Sequence, residues 1–203
     1  MKQPWTESFS PPRSSEKTAA VLIGVVLALF LLLRVLSWMN TSLLESRDSM
    51  SMIRDTKVFL SLDISRIINL PPDTTPIYPL MSAVFSAPGW SMENAARFCS
   101  IFFSIVVFFA LTGIGRRVTS SQAAVLALLL LAINPVMIGL SKSVLTEPAY
   151  IGLVYLGLWF FHRRHENPTW KSGAVLGGIF ALTFLARTEG LIYLAAIPVL
   201  QFV

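Results

Sequence analysis

Long apolar runs alternate with short polar breaks along this chain, and about 20 apolar residues is the length that an α-helix needs to cross a bilayer's hydrocarbon. Runs at 19–38, 98–114, 123–140, 149–161, 173–185 and 191–203 predict about six spans. Helix rather than strand is the expected form, because a spanning helix satisfies every backbone group within itself. The first run is long and lacks a small-residue cleavage pattern, so it reads as an uncleaved anchor rather than a signal peptide. Ahead of it, residues 1–18 carry Pro4, Pro11, Pro12 and several serines without periodicity, which predicts a disordered leader. Ser120 and Ser121 supply hydroxyls that can cap the third helix, and Asn134-Pro135 breaks that run near its far end, where it ends the span. The sixth run is still apolar at Val203, so the chain is expected to stop inside a span.

The longest interruption, residues 40–97, has a pattern of its own. From Asp48 onward the chain has no Gly or Pro before Pro71, and its apolar residues are spread around the helical wheel, which predicts a surface helix partly covered by protein and membrane. Pro71-Pro72-Asp73-Thr74-Thr75-Pro76 breaks it, and residues 77–85 predict a second surface helix with Pro79 in its first turn. The expected fold is therefore an all-α integral membrane protein with two juxtamembrane helices in its first outward loop.

Composition agrees: 54% of residues are hydrophobic, 13% are charged and the mean hydropathy is +0.67, far from soluble averages. The net charge of +5 does not point to nucleic acid, because no basic patch is interleaved with stacking aromatics. It points to orientation, since Lys and Arg are retained in cytoplasmic loops. Arg116-Arg117, the His162-Arg163-Arg164-His165 stretch with Lys171, and the N-terminal tail fall on one face under simple alternation. That face is expected to be the cytoplasm, of a bacterial or archaeal cell membrane or of the endoplasmic reticulum. The 40–97 loop, the 140–146 turn and Arg187-Thr188-Glu189 then lie outward. Cys99 stands alone inside the second run and has no disulfide partner, and Asn40-Thr41-Ser42 is a glycosylation acceptor pattern hard against the membrane.

Several short segments occur in an order that resembles one known group. They are Arg47-Asp48-Ser49 after the first span, Tyr78-Pro79-Leu80 in the second surface helix, Ala96-Arg97-Phe98 opening the second span, and Gly115-Arg116-Arg117 at its end. Asn134-Pro135 with Ser141, Leu145-Thr146-Glu147-Pro148, and Leu185-Ala186-Arg187-Thr188-Glu189-Gly190 continue the series. Each is weak alone. Together they resemble the GT-C superfamily of polytopic glycosyltransferases, in its protein-O-mannosyltransferase-like and aminoarabinose-transferase-like branch, over most of the chain. The resemblance implies a GT-C-type helix bundle of which this chain is the N-terminal portion. It also implies a sugar donor carried on dolichyl or undecaprenyl phosphate, inverting transfer to a protein, lipid or glycan acceptor on the outer or lumenal face, and a catalytic Asp in the first outward loop at the position of Asp48.

Inverting displacement of a sugar from a lipid phosphate needs a base for the acceptor hydroxyl and positive charge for the departing phosphate, which a carboxylate and cations supply. Asp48 is the candidate base; an acid before a helix also serves as an N-cap, and spacing alone leaves both roles open. Many relatives carry a second acid directly after the Asp. Here Ser49 replaces it, so a divalent metal is compatible with the site but not demanded, and no other cofactor is implied. Glu147 is the second candidate acid, at the outward mouth of the fourth span, where it also suits the positive end of a helix dipole. For the donor phosphate the candidates are Arg187, Lys142 and Arg47, with Arg54 close by; Arg187 alternatively pairs with Glu189 or reaches to headgroups. Tyr78 joins the substrate-binding set, with an interfacial anchor as its other reading. His162 and His165 fall on the opposite face and are not ligands for a metal at this site. A transporter is disfavoured because the span centres read as almost purely apolar, while a non-catalytic membrane assembly subunit or a remnant of an enzyme is the alternative function.

Overall fold

The computed structural model describes residues 13–40, 47–71, 74–166 and 169–193. The first apolar run forms α1 (Arg13–Met39), 27 residues long, or about 40 Å at 1.5 Å per residue. The segment between the first two long helices folds into α2 (Arg47–Leu60), α3 (Ile64–Ile68) and α4 (Ile77–Ser86) before the second of them, α5 (Met92–Val118). The helix expected to continue from Asp48 to Pro71 is therefore divided. Leu62 takes a left-handed backbone with φ 52°, and the Asp63 carboxylate accepts from the Ser65 and Arg66 amides at 3.1 and 3.3 Å to start α3. Asp is among the strongest N-caps, and a cap inside a moderate helical pattern is enough to restart the helix.

A second division follows in the third apolar run. It forms α6 (Ser121–Ile133) and α7 (Pro135–Lys142), which meet at 55°. Pro135 has no amide hydrogen to continue the ladder, and Asn134 Oδ1 accepts from the Val136 and Met137 amides at 2.9 and 3.1 Å, so the second piece starts afresh. Beyond it lie α8 (Glu147–Glu166), α9 (Trp170–Ala186) and a 3-10 turn over Thr188–Gly190. By length and apolar composition α1 from Glu16 onward and α5 are each able to cross a membrane, and α6 with α7 makes a third span if the bent pair is one. The run expected at 191–203 lies outside the described residues beyond Tyr193.

Within the bundle α5 is central, packed by α4, α6, α7 and α8. Helices in lipid gain little from hydrophobic burial against one another, so close approach through small residues must supply the packing. Gly152 of α8 shows this: a Cβ there would stand 2.8 Å from the Phe103 ring of α5 and 3.1 Å from its backbone oxygen. One apolar core joins Val26 and Phe30 of α1 to Phe108 of α5 and Leu128 and Ala132 of α6. The other joins Tyr78, Ala96, Cys99 and Phe103 to Val144, Ala149, Leu153 and Ala186, with Met52 and Ile53 of α2 packed against it. This second core brings the N-terminal ends of α2, α5 and α8 and the C-terminal end of α9 to one end of the molecule. Charge is sorted with respect to that end, because Arg116, Arg117, Arg163, Arg164 and Lys171 all sit at the opposite one.

Candidate functional site

At the end formed by the Tyr78 core, the C-terminus of α9 meets the N-terminus of α8. Arg187 ends α9 in an extended conformation and its Nη1 donates to Glu147 Oε1 at 2.5 Å. The remaining face of the guanidinium holds Glu189 in a fork, Nη2 to Oε1 at 3.1 Å and Nε to Oε2 at 3.3 Å. The chain makes this possible with the sharp 3-10 turn, in which the Gly190 amide donates back to the Arg187 carbonyl at 2.9 Å. The hydrogen bonds to Glu189, and after them those to Glu147, hold Arg187 above its ordinary range, and the same contacts hold the Glu189 carboxyl below its own. Glu147 Oε2 is buried and has no hydrogen-bond partner among the described residues. The cluster thus combines one cation held by two carboxylates with one buried carboxylate oxygen that has no donor among the described residues.

The other sequence candidates are distributed around it. Asp48 is exposed in the first turn of α2, one turn before Met52, which packs on the Tyr78 core. Lys142 is half-buried in the last turn of α7 and makes no ion pair among the described residues. Arg47 begins α2, but its side chain lies outside the described residues, as do those of Thr41, Ser42 and His165. Arg54 points to solvent and pairs at 3.1 Å with Asp55, whose side chain is almost wholly buried.

Tyr78, expected either to bind substrate or to anchor at the interface, sits between α4 and α5. It is fully buried, and its hydroxyl donates to the Ala96 carbonyl at 2.7 Å and shares a 2.9 Å hydrogen bond with Ser100. Burial holds its phenol well above its ordinary range. In this position it fastens α4 to α5 instead of facing an open sugar site. The polar seam continues through Ser100 to the Ser143 carbonyl at 2.6 Å and from Ser104 to Ser141 at 3.0 Å, so α7 is tied to the same helix.

Arg34 is an ionisable residue within an apolar run, five residues before the end of α1 and away from its centre. It lies inside α1 with no exposed surface, donating to backbone carbonyls of α1 and α6. Sequence reasoning absorbs it into an apolar run, although an ionisable residue within such a run is itself a signal. Among the described residues no three of His, Cys, Asp and Glu converge in a way that could hold a metal ion.

No curated protein and no solved structure matches the chain. The family model described as dolichyl-phosphate-mannose-protein mannosyltransferase matches residues 71–203, which begins after α2 and so includes Glu147 and Arg187 but not Asp48. With more than half of the chain matched and apolar helices long enough to span a bilayer, the chain belongs to the dolichyl-phosphate-mannose-protein mannosyltransferase family of membrane glycosyltransferases, which use a polyprenyl-phosphate-linked sugar.

Proposed function

We propose that the protein transfers a sugar from a polyprenyl phosphate to an acceptor hydroxyl on the outer or lumenal face, with inversion, and that Asp48 is the general base. In this reaction the acceptor O–H proton passes to the Asp48 carboxylate as the acceptor oxygen bonds to the anomeric carbon. The bond from that carbon to the phosphate oxygen breaks, and its electron pair leaves on the lipid phosphate. Cations must meet that charge where it develops.

The observation that carries the reading is the Glu147–Arg187–Glu189 cluster at the end of the bundle where α2 packs. A guanidinium fork fits a phosphate as it fits a carboxylate. Glu189, half exposed and bound through the outer fork, is the partner a donor phosphate displaces, while Glu147 keeps Arg187 aligned. Lys142 adds a second positive charge. Glu147 Oε2, buried beside the guanidinium, accepts a sugar or acceptor hydroxyl.

The test is Asp48→Asn in the full-length protein. General-base catalysis contributes roughly 10²–10⁴ in rate, so kcat should fall by about that factor with membrane content and thermal unfolding unchanged. A variant that transfers at the wild-type rate removes Asp48 from the reaction. Arg187→Ala should raise the donor KM more than it lowers kcat, and an unchanged donor KM removes Arg187 from the phosphate site.

A further inference from the structure

The Asn134-Pro135 break leaves carbonyls at the end of α6 without their helical donors. Pro135 has no amide hydrogen for the Leu131 oxygen, and the Val136 amide that would serve the Ala132 oxygen is taken by Asn134 Oδ1 at 2.9 Å. In a helix crossing lipid such groups must find partners within the protein. Arg34 supplies them from the neighbouring helix: Nη1 lies 3.2 Å from the Ala132 oxygen and Nη2 3.5 Å from the Leu131 oxygen. Its own helix fixes the guanidinium in place, through Nη1 to the Phe30 oxygen at 3.2 Å and through stacking over the Phe30 ring at 3.3 Å. A cation at a helix C-terminus also meets the negative end of the helix dipole.

Stability alone does not account for this residue. Arg34 Nε has no partner among the described residues, and a buried donor left without an acceptor is destabilising. The arrangement stands at the bend where α7 leaves α6 at 55°. That angle lays α7 against α5, where Ser141 meets Ser104 and the Ser143 carbonyl receives the Ser100 hydroxyl. At the end of α7 stand Lys142 and the short turn that leads into Glu147.

We propose that Arg34 is a positioning residue of the transfer reaction: by capping the broken end of α6 from α1 it locks the angle of α7, and so holds Lys142 toward the donor phosphate and Glu147 against Arg187. The consequence for catalysis rests on the reading of Lys142 and Glu147 given above, whereas the locking of α7 does not. The experiment therefore reads the two separately, in the full-length protein in membranes. Ser104→Cys with Ser141→Cys, in a background where Cys99 is replaced by Ala, places two thiols where hydroxyls stand 3.0 Å apart, and copper phenanthroline oxidises the pair.

With Arg34 present the pair should cross-link readily, and Arg34→Leu should lower the rate about tenfold, within the coupling that contacting residues show. Without the engineered cysteines the same substitution should lower kcat while leaving the acceptor KM near its starting value, with partial recovery in Arg34→Lys. Arg34→Leu is also made in protein that carries Asn134→Ala and Pro135→Ala, which returns amide donors to the freed carbonyls. There the cross-link should already be slow with Arg34 in place, and Arg34→Leu should slow it no further. An undiminished cross-link in Arg34→Leu, or an equal further drop in the repaired background, overturns the locking of α7. A slowed cross-link with unchanged transfer leaves the lock standing and overturns the catalytic role of Lys142 and Glu147.

Discussion

Arg187 holds two carboxylates because the chain reverses immediately after it, and the reversal depends on Gly190. A Cβ at Gly190 would stand 2.6 Å from the Phe184 nitrogen and from the Thr183 carbonyl carbon. Backbone atoms cannot turn aside as a flexible side chain can. Gly190→Ala should therefore lower stability by about 1–3 kcal/mol, the usual range for a mutation with a named steric cause, and should raise the donor KM by displacing Arg187. Thermal unfolding in detergent and donor titration check the two effects, and a variant normal in both would show that the turn yields. Glu189 offers the opposite test. Its carboxyl is held below the ordinary 4.5 by Arg187, so the pairing is in place at every pH above 4.5 and is lost only as pH falls through the still lower folded value. In the neutral range only substitution frees the outer fork. Glu189→Gln should lower the donor KM severalfold if phosphate displaces this carboxylate; a raised KM would mean that Glu189 orients Arg187 instead.

At the scale of elements, the apolar runs made the long helices legible because length and hydropathy over some 20 residues leave few alternatives. The run at 98–114 lies within α5, and residues 77–85 within α4. What escaped were local events that a few atoms decide. Asp63 restarts a helix between α2 and α4 through two amide hydrogen bonds, where the pattern of apolar residues runs on without a break. Tyr78 stands near the boundary in sequence, but only the packing of α4 on α5 shows it to be buried. Arg34 is one cation in a long apolar stretch, and its partners are backbone carbonyls about a hundred residues away, which no local spacing encodes. Glu147 and Arg187 were both visible as charges at span ends, while their direct pairing across 40 residues was not. Close approach of helices is equally hidden until they are packed. Gly152→Val should push α8 off Phe103 and lower stability by about 1–3 kcal/mol as overpacking does, measured as a drop in detergent unfolding temperature, whereas an unchanged temperature would mean that the Phe103 ring simply rotates away.

Taken whole, the molecule is polar in charge as well as in structure. One end carries the Glu147–Arg187–Glu189 cluster and exposed Asp48. At the other a cavity of about 530 Å³ is lined by Arg117, Arg163, Arg164 and Lys171, with Phe160 and Val175 among its apolar walls. Basic residues held back on the cytoplasmic side set the orientation of a polytopic chain, and anionic headgroups of the cytoplasmic leaflet attract them further. The basic end should thus be cytoplasmic and the acidic cluster outward, the side on which the proposed transfer takes place. Two exposed positions decide the matter. Ser61 lies between α2 and α3 and Lys171 in the first turn of α9, far from each other along the bundle. With Cys99 replaced by Ala, Ser61→Cys should react with an impermeant maleimide in intact cells or sealed lumen-out vesicles. Lys171→Cys should react only after the membrane is opened. The reverse pattern would put Asp48 and Arg187 on the cytoplasmic side and require the donor sugar to be presented there, while labelling of both from one side would mean that α5, the bent α6–α7 pair and α8 do not together cross the bilayer an odd number of times.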